Sequence, residues 1–257
     1  MNKVKVLMLR APGTNRDVDT QMAFKKAGAE VIDSALVNEL TRKEKRLADY
    51  QIMIIPGGFT YGDDISAGKI MANEIRLALG EEIQKFVAEG RLVLGICNGF
   101  QVLVKTGILP GISGKSAQPV TLTNNDSGKF ECRWVYLKGN KKSPCVVTKG
   151  IEMIYVPIAH GEGKLVAEPG MLEKLNVTLQ YVDENGKTAA GYPCNPNGSV
   201  KDIAGICDPT GRIFGMMPHP EDFIRWTQHP RWTREKERND LYGLEIFSNA
   251  VAWARGI

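Results

Sequence analysis

Short apolar runs recur along the chain, separated by stretches whose apolar positions keep helical spacing. Residues 4–9, 29–32, 52–55 and 92–94 are near-continuous apolar runs of strand length, and Pro56, Gly57 and Gly58 stop the third. Runs of this kind read as strands buried on both faces. Between the first two, Asp17 can cap a helix with Val18, Met22, Ala23 and Ala27 on one face and Gly28 at its end. Residues 81–89 place Ile83, Phe86 and Val87 at i, i+3 and i+4, and Gly90 closes that helix. The alternation predicts an α/β fold with a mostly parallel central sheet and helices on both faces. From residue 119 to 217 the texture changes to short strands with Asn/Gly turns, which predicts antiparallel additions at one edge. Leu244, Phe247, Val251 and Ala254 make a final amphipathic helix. No repeat or long linker divides the 257 residues, so a single domain over 1–257 is expected.

Composition narrows the function classes. At 43% hydrophobic the chain can fill one large core, and no apolar run approaches a membrane span. The N-terminal M-N-K-V-K-V-L-M-L-R lacks a small-residue cleavage pattern and reads as a first buried strand, so a cytoplasmic enzyme is expected. Five cysteines without a C-x-x-C pair argue against a disulfide framework or a zinc site, leaving Cys132, Cys145, Cys194 and Cys207 as packing or surface thiols. A net charge of +4 with interspersed signs gives no case for nucleic acid. Gly111 to Ser116 (G-I-S-G-K-S) falls short of a phosphate loop, because Leu109 stands where the first glycine is required. Asp63 and Asp64 read as a turn with a helix cap in preference to a metal pair. No metal site is expected.

The strongest candidate chemistry lies in R-L-V-L-G-I-C-N-G-F-Q, residues 91–101. An apolar strand runs into Gly95, then Cys97 between glycines, then a helical segment. That is the wiring of a nucleophile elbow, G-x-C-x-G. It would set the thiol on a helix N-terminus, where amide dipoles favour the thiolate. A cysteine merely packed between glycines fits the same pattern. Downstream, Gly211 to Glu221 carries a strand of Ile213, Phe214, Met216 and Met217, broken by Pro218 and Pro220 around His219. Glu221 can turn back onto the imidazole, giving nucleophile, base and orienter as Cys97, His219 and Glu221. The plainer reading is a histidine in a Pro-rich turn. His160, with Glu162 at i+2, is a rival base, and spacing alone does not separate the two pairs. His229 is expected to face solvent.

G-I-C-N-G-F-Q together with M-P-H-P-E resembles the class I (triad) glutamine amidotransferases. A-P-G-T-N-R-D (11–17), P-G-G-F-T-Y-G-D (56–63), P-I-A-H-G-E-G (157–163) and N-P-N-G-S (195–199) resemble the branch of that family serving purine biosynthesis, in the expected order over nearly the whole chain. The resemblance implies a flavodoxin-like sheet and a glutaminase in which Cys97 attacks the side-chain amide of glutamine. It places the triad histidine at His219 and leaves His160 as a supporting or interface residue. It implies an oxyanion hole from the Gly58 and Asn98 amides, with Gln101 and Gly57 binding substrate, although a simple Gly turn and a surface glutamine would explain those residues alone. Asn15, Arg16 and Asp17 either cap the first helix or line the route to a partner. The implied partners are an ATP-dependent synthetase that converts formylglycinamide ribonucleotide to the amidine, and a small accessory subunit. ATP and magnesium are expected on the synthetase, with no cofactor on this chain. Residues 223–242 depart from the family pattern as an insert, where Trp226, Trp232 and the basic residues around them either dock a partner or pack locally. A stand-alone γ-glutamyl hydrolase and a non-catalytic thiol protein with the same elbow are the competing classes.

Overall fold

The computed structural model describes residues 3–112, 118–188, 191–238 and 242–257. The first half alternates strand and helix as β1 (Lys5–Arg10), α1 (Asp17–Lys26), β2 (Val31–Leu36), a short α2 (Val37–Thr41) and β3 (Ile52–Ile55). It continues with α3 (Lys69–Ala78), α4 (Gly80–Ala88), β4 (Leu92–Ile96) and α5 (Asn98–Lys105). Then come β5 (Val120–Thr123), β6 (Glu131–Gly139), β7 (Met153–His160), β8 (Lys164–Ala167) and β9 (Asn176–Val182). The chain closes with β10 (Ile203–Cys207), β11 (Ile213–Met216) and α6 (Leu244–Ala254).

Nine strands form one sheet in the order β2-β1-β3-β4-β11-β10-β9-β6-β7, and β5 pairs with β8 apart from it. The first five are mutually parallel, and the last four join antiparallel. This is the α/β arrangement expected, with a parallel core and antiparallel additions at one edge. The central β3 and β4 are buried at every residue, as continuous apolar runs between two helical layers must be. The antiparallel half curls far enough for the His219 amide, just past β11, to donate to the Pro157 carbonyl of β7 at 2.8 Å. That curl brings β7 beside the carboxyl ends of the parallel strands. Among the described residues no helix is long and apolar enough to cross a membrane.

Three expectations change. The strand expected at 29–32 lies at Val31–Leu36 and runs on through Asp33 and Ser34. As an edge strand β2 can carry polar residues, and the Tyr50 hydroxyl donates to Asp33 Oδ2 at 3.0 Å. Helix α1 buries Thr20, Ala23 and Phe24, while Val18 and Met22 are exposed. Its rotation is set by the Phe24 ring, which meets Phe247 of α6 edge-on at 5.0 Å. His229 is buried instead of solvent-facing. Its ring stacks on Trp226 at 4.5 Å and packs near Trp134 and Tyr155 of β6 and β7, and burial lowers its pKa. Trp226 thus packs on its own domain and donates from Nε1 to the Trp232 carbonyl at 3.1 Å, whereas the Trp232 ring is exposed. Residues 113–116 of the segment resembling a phosphate loop, and 239–241 of the insert, lie outside the described residues.

Candidate active site

The turn from β4 into α5 holds Cys97 at φ 51° and ψ −107°, a left-handed value that a side-chain-bearing residue rarely adopts. Its amide donates to the Met216 carbonyl of β11 at 2.8 Å, and its carbonyl accepts from the Gln101 amide at 3.1 Å, which pins the strained residue from both sides. The flanking glycines are required by close approach. A Cβ on Gly99 would stand 1.9 Å from the Ile55 carbonyl oxygen, and one on Gly95 would stand 2.6 Å from the Gly99 oxygen. Helix α5 therefore lies against the ends of β3 and β4 with backbone touching backbone. Its first amides, which no intrahelical carbonyl satisfies, open beside the thiol.

Past β11, Pro218 and Pro220 bracket His219, whose Nδ1 is 2.7 Å from Glu221 Oε1. Glu221 is wholly buried. With Nδ1 committed to the carboxylate, Nε2 is left free for the thiol, and His219 lies close enough to Cys97 for that side chain to raise its pKa. Burial alone would disfavour the imidazolium, but the charges of Glu221 and Cys97 outweigh it and hold the His219 pKa well above its ordinary value. The Cys97 thiol also donates to the Ala159 carbonyl of β7 at 3.8 Å. Cys97 at the end of β4 and the His219–Glu221 pair past β11 thus gather at the carboxyl ends of the parallel strands, where ligands enter sheets of this kind.

The loop after β3 closes over this group. A Cβ on Gly57 would stand 2.8 Å from His219 Cε1, so the imidazole rests directly on the Gly57 backbone. Gly58 has φ +155°, and a Cβ there would lie 2.7 Å from the Gly13 carbonyl oxygen. No other residue fits. The Asn98 side chain clamps this loop to the elbow. Its Oδ1 accepts from the Thr60 hydroxyl at 2.7 Å, and its Nδ2 donates to Asp63 Oδ1 at 3.1 Å and to Gln101 Oε1 at 3.0 Å. Gln101 Nε2 donates to the Glu162 carbonyl at 2.6 Å, so its amide is engaged at both ends within the protein. Asp63 also accepts from the amide of Gly68, the residue before α3, at 3.2 Å.

His160 lies at the end of β7 and is buried. Glu162 is not its partner: the carboxylate accepts from the Ala67 amide at 3.2 Å and lies 3.7 Å from Lys105 Nζ. Sequence reading also missed three backbone or charged groups here. These are the Ala159 and Pro157 carbonyls, and Asp222, which meets Arg16 at 3.5 Å. Backbone carbonyls leave no trace in residue identity. Asp222, directly after the triad candidate Glu221, could have been noticed. Arg16 thus ties α1 to the site, with no role in capping by its side chain.

Burial and the neighbouring Glu221 charge push the Asp222 carboxyl from 3.8 up to about 6, against the pull of His219 and Arg16. The fold then holds a proton that the unfolded chain releases. Asp222 therefore lowers stability progressively as pH rises from about 4 through about 6. Asp222→Asn should remove that loss. Thermal midpoints measured from acid to neutral pH should show the variant gaining on the wild type by about 5–10 °C across this window, since a rise from 3.8 to about 6 is worth about 3 kcal/mol. A difference that stays flat with pH would mean that Asp222 is not held protonated.

A profile of the CobB/CobQ-like glutamine amidotransferase domain matches residues 3–254. The phosphoribosylformylglycinamidine synthase subunit PurQ of Dehalococcoides mccartyi is 56% identical over 257 residues, covering 100% of both chains. The subunit of that name from Methanococcus maripaludis is 42% identical, with 97% of each chain covered. Among solved structures, PurLQS from Thermotoga maritima contains a chain that superposes with a TM-score of 0.73 at 30% identity, covering 98% of this chain and 99% of that one. A glutamine amidotransferase from Thermotoga maritima superposes with a TM-score of 0.53 at 16% identity over 90% of this chain and 81% of its own, a likeness of fold.

Proposed function

Because the chain belongs to the CobB/CobQ-like glutamine amidotransferases, we propose that it is the glutaminase subunit of phosphoribosylformylglycinamidine synthase in purine biosynthesis. It hydrolyses glutamine and delivers the ammonia to an ATP-dependent synthetase subunit. The observation that carries this reading is the 2.7 Å contact of His219 with buried Glu221, on an imidazole whose pKa the strained Cys97 also helps to raise.

Cys97 attacks the side-chain carbonyl carbon of glutamine as a thiolate, forming a bond to carbon and moving the carbonyl electrons onto oxygen. The Gly58 and Asn98 amides receive that oxyanion, and the Asn98 side-chain clamp keeps the two donors in register. The imidazolium of His219 gives its proton to the amide nitrogen as the C–N bond breaks, so ammonia leaves and a thioester remains. His219, now neutral, takes a proton from water, which attacks the thioester and releases glutamate and the thiolate. Glu221 accepts from the Nδ1–H throughout and stabilises the charged ring. Gly57 supports the imidazole, and Gln101, already bound at both ends, forms a wall of the glutamine pocket. ATP and magnesium act on the synthetase, and a small accessory subunit completes the assembly, as the relative solved as PurLQS suggests.

Mixing the chain with its synthetase partners should give glutamine-dependent conversion of formylglycinamide ribonucleotide to the amidine. Neither component alone should do so with glutamine as nitrogen source. High glutamine hydrolysis by the isolated chain, unchanged by the partners and without amidine formation, would assign it to the stand-alone hydrolases.

A further inference from the structure

His160 is a buried base that the triad does not use, and its hydrogen bonding leaves one nitrogen bare. The orientation of its neighbour Asn125 is fixed by backbone groups. Asn125 Nδ2 donates to the Lys129 and His160 carbonyls at 2.9 and 2.8 Å, and Oδ1 accepts from the Gly163 amide at 3.0 Å. That same Oδ1 is 3.1 Å from His160 Nδ1. Two acceptors cannot bond to each other, so Nδ1 carries the ring proton. Nε2 is then an acceptor, fully enclosed and without a partner among the described residues. Leaving a buried acceptor unmet costs free energy, a cost that a donor arriving during function would offset.

The position narrows that donor. His160 directly follows Ala159, whose carbonyl receives the Cys97 thiol, and its ring lies near enough to feel the charge of His219. Gly163 covers the ring so closely that a Cβ would stand 2.1 Å from Cε1. Burial, reinforced by the His219 charge, lowers the His160 pKa to about 3, so the ring stays neutral. Tyr181, wholly buried, also feels Cys97, and its hydroxyl accepts from Asn197 Nδ2 at 3.1 Å. Burial raises its pKa, so it too stays uncharged. Neutral polar atoms of this kind suit a neutral N–H donor. A base that cannot be protonated also cannot yield its own proton to ammonia and trap it as ammonium.

Resting on the glutaminase reading above, we propose that the His160 Nε2 lone pair is the first acceptor for ammonia as it leaves the Cys97–His219 pair. The residue would hold the product on its way to the synthetase, with no part in C–N cleavage. The test uses the assembled complex and counts glutamate released per amidine formed, with free ammonia trapped enzymatically. His160→Leu and His160→Asn remove the Nε2 acceptor, and Asn keeps a polar atom facing Asn125. His160→Gln returns a polar atom near the Nε2 position.

The Leu and Asn variants should raise glutamate per amidine by about three- to tenfold, the worth of one hydrogen bond. KM for glutamine should stay within about twofold, and His160→Gln should restore tight coupling. An unchanged ratio in the Asn variant, or a raised KM at constant ratio, would overturn the proposal and place Nε2 in a structural or glutamine-binding role. If the wild-type complex makes no amidine from glutamine, the function reading itself fails, a result distinct from intact synthesis with unaltered coupling.

Discussion

Replacing Cys97 with alanine is expected to abolish glutamine hydrolysis while the assembled complex still makes amidine from added ammonia at the wild-type rate. In the proposed reaction the thiol serves only the cleavage of the amide, and the synthetase needs only ammonia. Losing the nucleophile of a triad costs on the order of 10⁶-fold in kcat. Structural damage should be small, because alanine keeps the Cβ and the backbone bonds that Cys97 makes to Met216 and Gln101. The strained φ of 51° is as unfavourable for alanine as for cysteine, so relief of strain does not confound the comparison. Equal loss of glutamine- and ammonia-driven synthesis in an assembled complex would show that Cys97 does more than liberate ammonia.

His219→Ala should be nearly as damaging as removing the thiol, since the imidazole is proposed both to protonate the leaving nitrogen and to activate water. Glu221→Gln should cost less, about 10⁴-fold, the scale seen when an orienting carboxylate loses its charge. The two losses should be far from additive in the double variant. Without the Glu221 charge, burial acts on His219 against weaker opposition and its pKa should fall. The pH profile of glutaminase activity in Glu221→Gln should therefore lose activity at lower pH than the wild type wherever the imidazolium is required. Steady-state rates over a pH series would show this. His160→Ala should leave thioester formation largely intact. Were it to block acylation of Cys97 while His219→Ala did not, the two histidines would have been assigned the wrong way round.

Features set by neighbours in sequence were the legible ones. The elbow declares itself because G-x-C-x-G is a local backbone requirement, and the structure supplies the reason in the contacts of Gly95 and Gly99. The pairing of His219 with Glu221 is legible for the same reason, because two residues of a Pro-braced turn fold back on one another. The central strands β3 and β4 read correctly because burial on both faces leaves no polar position to confuse the pattern. What was hidden depends on distant partners. The rotation of α1 answers to Phe247, more than 200 residues away in the chain. The burial of His229 needs Trp134 and Tyr155, which only the curled antiparallel strands bring near. The acceptor role of the Ala159 carbonyl likewise depends on β7 returning to the site. The separation of His160 from His219 rests on geometry too: Glu162 turns to Ala67 and Lys105, while Glu221 stays on its histidine.

The central claim is that Cys97, activated by His219, forms the covalent intermediate with glutamine. It is tested most directly by treating the complex with an electrophilic glutamine analogue and locating the adduct by peptide mass spectrometry. One adduct per chain on Cys97, blocked by excess glutamine and strongly slowed by His219→Ala, is the result expected. Stoichiometric inactivation with the adduct on Cys132, Cys194 or any residue other than Cys97, or an active complex that forms no adduct at all, would contradict it.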